Sequence, residues 1–291
     1  MGQRVRDFLE LIRFSHTVFA LPFALASAVL AWQREPFRWL DLLGIVLCMV
    51  LARSAAMGFN RLADRHYDAA NPRTANRHLP SGRLSVASVA VFTTLCALGF
   101  LAATTIFVAS NKNWWPLYLS LPVLGFILAY SYTKRFTWLS HFWLGASLML
   151  APWATWIALT GTLAGPAVWL GLAVFFWVAG FDTIYALQDV DFDRRAGLFS
   201  LPARWGVRPA LWAARACHVL TIVFLIGVGL SAALGTMYFA GVVGIAALLV
   251  IEHWLVRRQE PDRINLAFFH VNSVISLGVL ALVCADVWLG R

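Results

Sequence analysis

Nine apolar runs, at roughly 14–32, 39–59, 84–109, 114–131, 138–160, 166–187, 207–231, 234–256 and 264–289, take up most of the chain. Each is about as long as a helix must be to cross a hydrocarbon core of ~30 Å. The runs are continuously apolar instead of alternating, and they are about twice the length of a barrel strand, which argues against a transmembrane β-barrel. With 60% hydrophobic and only 13% charged residues among 291, the chain is too apolar for a soluble fold of its length. The expected fold is all-α and integral to the membrane, with nine transmembrane helices in one bundle around a central cavity. No low-complexity tract, long linker or composition break interrupts residues 1–291, so a single polytopic membrane domain is expected.

The first run follows Arg4, Arg6 and Arg13 and contains Ala26-Ser27-Ala28, features shared with a cleaved signal peptide. Its length, and the lack of a polar mature domain after it, favour a retained span. Basic residues then set the orientation, because cytoplasmic loops keep an excess of Lys and Arg. With the N-terminus inside, the inside segments carry Arg4, Arg6 and Arg13; Arg61, Arg65, Arg73, Arg77 and Arg83; Lys134 and Arg135; Arg194, Arg195, Arg204 and Arg208; and Arg257, Arg258 and Arg263. Outside fall only Arg34, Arg38, Lys112 and Arg291. The net charge of +9 therefore reflects topology and closeness to anionic lipid, with no nucleic-acid partner needed to explain it. The four cysteines lie inside apolar runs without Cys-x-x-Cys spacing, so neither a disulfide framework nor a zinc site is expected.

Acidic residues are scarce, and two groups of them stand at inside ends of their runs. Asn60, Asp64 and Asp68 are spaced four apart, so on a helix they fall along one stripe. Asp182, Tyr185, Asp189 and Asp193 also return to one face, while Asp191 points the other way if the helix continues that far. If the helix frays at Asp189, that distinction is lost. Facing carboxylate pairs repel unless a cation lies between them, and Mg²⁺ is characteristically held by one or two carboxylates plus substrate phosphates. The arginines after each group, with Lys134 and Arg135 between them, add charge suited to phosphate oxygens, so the implied ligand is a diphosphate. Solvated, topology-fixing loop residues are the plainer reading of either group alone. Asp182 resists it, because it follows the apolar stretch Leu172 to Phe181, where a carboxylate costs ~2.5–3.5 kcal/mol; a polar cavity is expected there. His141, His218, His253 and His270 are scattered singly and read as structural, and His66 and His78 as loop residues.

"NRLADRHYDAANPRTANRHLPSG", from Asn60, resembles the first Asp-rich motif of the UbiA family of intramembrane prenyltransferases, and "DTIYALQDVDFDRRAG", from Asp182, resembles the second. The stretch "YSYTKRFTWLSHFWLG" between them is similar to the family's third landmark. Two positions depart from the pattern: Arg61 stands where many members have a further Asp, and Phe199 replaces a basic residue before Ser200. Arg61, "NPRTA" and "LPARWG" look like the bacterial 4-hydroxybenzoate polyprenyltransferase-like branch.

The resemblance implies an Mg²⁺-dependent enzyme of quinone biosynthesis in a bacterial plasma membrane. Its substrates would be a polyprenyl diphosphate and an aromatic acid, 4-hydroxybenzoate or, alternatively, 1,4-dihydroxy-6-naphthoate on the menaquinone route; the motifs leave both open. It implies metal ligation by Asn60, Asp64 and Asp68 and by Asp189 and Asp193, with catalytic roles for Asp182 and Tyr185. Arg77, Lys134, Arg135 and Arg195 would bind diphosphate. Arg13 would pair the acceptor's carboxylate or serve as a plain positive-inside anchor. The prenyl tail calls for a tunnel opening to lipid. An ion-coupled transporter is the rival class, but its sites lie near the midplane at broken helices, and these groups lie at one rim. A lipid phosphotransferase would show one continuous motif with interleaved glycines, which is not present.

Overall fold

In a bilayer core every backbone amide must find its partner inside the protein, and a helix meets that demand within one segment. The computed structural model describes residues 2–12, 19–258, 264 and 266–289, and among them the regular structure is helical with no strand. In chain order the helices are α1 (Gly2–Leu11), α2 (Leu21–Ala31), α3 (Trp39–Ala63), α4 (Arg65–Ala70), α5 (Val86–Asn111), α6 (Trp115–Thr133), α7 (Ser140–Thr160) and α8 (Gly165–Tyr185). They continue as α9 (Val190–Arg195), α10 (Leu201–Trp205), α11 (Val207–Ser231), α12 (Thr236–Leu255) and α13 (Asn272–Leu289), the last preceded by a π-helical turn at Ala267–Val271.

Among the described residues eight segments are long and apolar enough to span a membrane, the fifth of them running from Gly165 to Arg195. The ninth expected run, 14–32, is represented by α2, whose 11 residues rise about 16 Å and cover half of a hydrocarbon core. Residues 13–18 of that run lie outside the described ones.

The chain forms two compact units. Unit 1 comprises Met1–Thr17 and Trp39–Tyr132. There α3 packs along α5, and Ala55, Cys96, Phe100 and Leu124 join α3, α5 and α6 in one apolar cluster. A second cluster, Leu11, Ile12, Leu84 and Val89, seats α1 against the start of α5. Ser85 starts α5 by accepting a hydrogen bond from the Ser88 amide at 3.1 Å, satisfying one of the orphan donors of the first turn.

Unit 2 comprises Val18–Arg38 and Thr133–Arg291. Here α8 lies between α7 and α11, α2 packs on α7 and α13, and α12 contacts α11 and α13. The approach of α7 to α8 is close because Gly145 faces the Phe175 carbonyl; a methyl group at that position would overlap a backbone atom. A side chain on one helix also starts another: Asp286 of α13 accepts from the Gly235 amide at 2.8 Å and the Tyr238 amide at 3.3 Å, an anionic cap at the N-terminus of α12.

Polar side chains buried in unit 2 find one another. Trp177 Nε1 donates to Asn272 Oδ1 at 2.8 Å, and Asn272 Nδ2 donates to Glu252 Oε1 at 3.0 Å. His218 Nδ1 lies 3.0 Å from His253 Nε2 and 3.9 Å from Glu252 Oε2. His218 and His253 are thus not the isolated residues their sequence positions suggest: the packing of α11 on α12 brings them together.

Candidate active site: two aspartate clusters

The first cluster sits in unit 1, where α3 gives way to α4. Asp64 interrupts the helix with φ −95° and ψ 6°. The backbone still bonds four residues back, Asp64 N to Asn60 O at 2.9 Å and Asp68 N to Asp64 O at 2.8 Å, so the three side chains keep their stripe through the break. Asn60 Nδ2 donates to Asp64 Oδ2 at 2.8 Å and to Ser131 Oγ at 3.5 Å, which leaves the amide oxygen as the donor atom suited to a cation.

Asp68 is 6% exposed and held by cations. Arg77 Nη1 reaches its Oδ1 at 2.7 Å, and Arg61 Nη1 lies 3.8 Å from its Oδ2, which accepts no hydrogen bond. Two arginines read differently from sequence therefore share one carboxylate. The loop after α4 holds Arg77 there, with Thr74 Oγ1 donating to the Asp68 carbonyl at 3.0 Å and the Arg77 amide to the Thr74 carbonyl at 2.9 Å. The next residue, His78, is buried, with Nε2 3.5 Å from Glu10 Oε2 of α1. Burial and then Arg83 push the His78 imidazole below its ordinary value, outweighing Asp7 and Glu10. Glu10 is exposed and paired within α1 to Arg6 at 2.9 Å, so the clasp between α1 and the loop is a contact of a neutral imidazole with the helix and not an ion pair.

The second cluster sits in unit 2. Helix α8 ends at Tyr185, a 3₁₀ turn covers Ala186–Asp189, and α9 follows. The helix does not run straight on, yet Asp189 and Asp193 are 8% and 2% exposed and Asp191 lies on the open surface. The distinction survives because Asp189 and Asp193 flank one turn of α9, with Asp191 two residues along and on its opposite side.

Lys134 Nζ stands 3.4 Å from Asp193 Oδ2. Burial alone would lower its pKa, but Asp193, Asp189 and Asp182 outweigh burial and raise it, so the ammonium stays charged. Its backbone carbonyl accepts from the Phe199 amide at 2.6 Å, and the Asp193 carbonyl accepts from the Leu198 amide at 2.8 Å, which docks the loop after α9 on both residues. Phe199 thus contributes through its backbone where a basic side chain was expected. Arg135 is half-buried beside Lys134. Arg195 lies on the exposed face of α9, its Nε donating to the Asp191 carbonyl at 3.2 Å. Arg13 is outside the described residues.

Asp182, in the last turn of α8, meets a partner not foreseen from sequence: its Oδ2 lies 2.7 Å from His141 Nδ1. Tyr185 packs its ring on Phe268, with centroids 4.1 Å apart. The one available signal for His141 was a polar residue inside an apolar run, close after Lys134 and Arg135 in the third landmark.

The donor atoms suit a hard divalent ion. They are carboxylate and amide oxygens without sulfur, and Asp68 offers a buried oxygen that accepts no hydrogen bond. In this structure Arg61, Arg77 and Lys134 balance the buried carboxylates.

The sequence profile of the UbiA prenyltransferase family matches residues 20–274. A 4-hydroxybenzoate octaprenyltransferase from Vibrio parahaemolyticus is 30% identical over 289 residues, 96% of this chain and 98% of that protein. Another from Nitrosomonas eutropha is 32% identical over 241 residues, 81% of each. Among solved structures, the apo structure of a UbiA homolog from Aeropyrum pernix K1 is 30% identical, with a TM-score of 0.83 over 93% of this chain and 98% of that one. A UbiA homolog from Archaeoglobus fulgidus bound to GPP and Mg²⁺ shares the fold at 19% identity, with a TM-score of 0.70 over 96% and 99% of the two chains.

Proposed function

Because this chain belongs to the UbiA prenyltransferase family, we propose that it moves a polyprenyl group from a polyprenyl diphosphate to the ring of a hydroxylated aromatic carboxylic acid, first of all 4-hydroxybenzoate. The names of its relatives support the acceptor, since full-length matches at 30% identity are 4-hydroxybenzoate octaprenyltransferases. The observation that carries the chemistry is the burial pattern of the second motif, with Asp189 and Asp193 inside and Asp191 outside. A topology signal made of solvated acids would not sort them this way.

Asn60, Asp64 and Asp68 would hold one Mg²⁺, and Asp189 and Asp193 another. Bound there, Mg²⁺ supplies positive charge that makes the diphosphate a better leaving group. The chain's own cations add to this: Lys134 stays charged beside Asp193, and Arg77 and Arg135 offer guanidinium donors to phosphate oxygens. Arg195, expected to join them, sits on the exposed face of α9 with Asp191 and takes no part. The donor's C–O bond breaks to give an allylic cation and free diphosphate. The ring carbon ortho to the hydroxyl attacks that cation, and the ring proton is then lost. Asp182 and Tyr185 act on the acceptor side, where a carboxylate can take the phenol proton and raise the ring's nucleophilicity. Arg13 offers a cation to the acceptor's carboxylate.

The donor's tail requires apolar surroundings at the depth of its head group, so we place it in a cavity among the helices, open to lipid. The arginine distribution supports a membrane protein with its N-terminus and both clusters on the cytoplasmic side, and the bacterial relatives support the plasma membrane of a bacterium.

Membranes containing the protein, given 4-hydroxybenzoate or 1,4-dihydroxy-6-naphthoate and donors of several lengths, test the reading by mass spectrometry. Prenylated 4-hydroxybenzoate is expected with Mg²⁺ and not after chelation. Product from the naphthoate alone would reassign the acceptor, and no product from any pair would overturn the reading.

A further inference from the structure

The imidazole of His141 is fully buried at the start of α7, yet both of its nitrogens are engaged. Nε2 lies 3.3 Å from the Leu201 amide, and Nδ1 lies 2.7 Å from Asp182 Oδ2. A backbone amide can only donate, so Nε2 accepts and carries no proton. The single proton of a neutral imidazole is therefore on Nδ1, pointing at Asp182, and the aspartate oxygen it meets is an acceptor.

Each end of this relay is fixed by its own element. Leu201 opens α10, whose N-cap Ser200 is buried and accepts from the Ala203 amide at 3.3 Å. His141 is held by the close contact of α7 with α8 that Gly145 permits one turn further on. Asp182 keeps 14% of its side chain exposed, so His141 orients the carboxylate without sealing it from a ligand. Asp182 also acts on Lys134 along with Asp189 and Asp193, which puts it in the same charged neighbourhood of unit 2 as the second cluster.

We infer that His141 is a positioning residue for the proposed prenyl transfer, its Nδ1–H fixing Asp182 as an oriented, proton-accepting carboxylate. The inference rests on the reading given above for Asp182. Without the Nδ1–H, this largely buried carboxylate loses its charge-assisted donor and its fixed direction, which slows the step at the acceptor ring. Binding of the donor diphosphate does not depend on this contact.

Two conservative replacements separate this role from simple packing. In His141→Asn the amide nitrogen falls where Nδ1 was and can still donate to Asp182. In His141→Gln the amide group falls where Nε2 was and can still accept from Leu201, preserving the tie to α10 but not the donor to Asp182. Positioning requires Asn to retain most of the wild-type kcat, while Gln and His141→Ala fall roughly ten- to a hundredfold with the donor KM unchanged. A Gln variant as active as Asn or more so, or a loss confined to KM, overturns the inference. Should the variants fail to fold, nitrogen NMR of the wild-type protein labelled on histidine decides: the neutral Nδ1–H tautomer is expected for His141 at neutral pH, and the Nε2–H tautomer or an imidazolium overturns it. Failure of the proposed function shows separately, as absence of product from the wild type with Mg²⁺ present.

Discussion

The aspartate cluster of unit 1 and that of unit 2 meet the same difficulty, several carboxylates at a helix end, with different counter-charges. In unit 1 two guanidiniums converge on Asp68, and the Asn60 amide donates to Asp64. In unit 2 one ammonium serves Asp193 and a neutral imidazole serves Asp182. Arginine is always charged and presents a rigid fork, whereas lysine is a single charge on a flexible stem. The difference gives the first cluster a rigid cationic frame and the second a cation on a flexible stem.

The largest expected effects treat the clusters alike. Asp64→Ala and Asp189→Ala should each lower prenyl transfer by roughly 10²–10³-fold while the protein still inserts and folds. Turnover assays with a folding check measure this, and near-normal turnover in either variant would show that only one cluster works on the donor.

Removing the counter-charges should divide the clusters. Arg77→Ala takes the closer of two cations from buried Asp68 and should cost about 1–3 kcal/mol of stability, with Arg61 limiting the loss. Lys134→Met removes a side chain that is 30% exposed, so solvent screening should hold its stability cost to about 1 kcal/mol or less. Its activity should fall further than that of Arg77→Ala, since this ammonium sits 3.4 Å from its carboxylate on a flexible stem, whereas Arg77 is held on Asp68 at 2.7 Å. Melting curves beside turnover for the two variants decide it; equal losses on both scales would erase the contrast.

The packing beneath the clusters differs too. A methyl group at Gly58 meets the Thr93 hydroxyl, which can move only by giving up its hydrogen bond to the Val89 carbonyl, whereas at Gly145 it meets the Phe175 carbonyl, which belongs to the backbone. Gly145→Ala should therefore cost about 1–3 kcal/mol, and Gly58→Ala should cost less, about 1 kcal/mol, the helix preference for Ala offsetting part of the lost bond. Thermal unfolding of the two variants tests the ranking.

The smallest effect belongs to unit 1 alone. The His78 imidazole is held below its ordinary value of 6.5 in the native clasp, so the released form binds more protons under acid conditions. Stability that rises with pH wherever the open state is the more protonated must fall as pH drops below about 6.5. Amide exchange of residues 2–12 and 76–84, corrected for intrinsic rates, should speed up between pH 7 and 5 while residues 186–200 keep their protection.

Much of this was legible in the chain itself. Long apolar runs encode spans through length alone, and the four-residue spacing of Asn60, Asp64 and Asp68 survives a helix break because the backbone bonds across it. The outward turn of Asp191 was legible as well, since a two-residue offset inverts the face of even a single turn. The interruptions at Asp64 and Ala186–Asp189 were not, as neither carries a proline or glycine to mark it. The meeting of His141 with Asp182, 41 residues apart, comes from the packing of α7 on α8, and that of His218 with His253 from the packing of α11 on α12. The approach of Arg61 to Asp68 was not legible either, because spacing identifies a position and not what its side chain meets.

The central claim is that buried aspartates of the motifs hold the metal while their exposed neighbour does not. Activity against Mg²⁺ concentration for Asp189→Asn, Asp191→Asn and Asp193→Asn tests it most directly, because each change removes one negative charge within five residues and only burial and phase differ. Asp189→Asn and Asp193→Asn are expected to lose activity by orders of magnitude and to need more Mg²⁺ for what remains, with Asp191→Asn close to wild type on both counts. An Asp191→Asn variant as damaged as Asp189→Asn, with the same shift in Mg²⁺ requirement, would contradict the account.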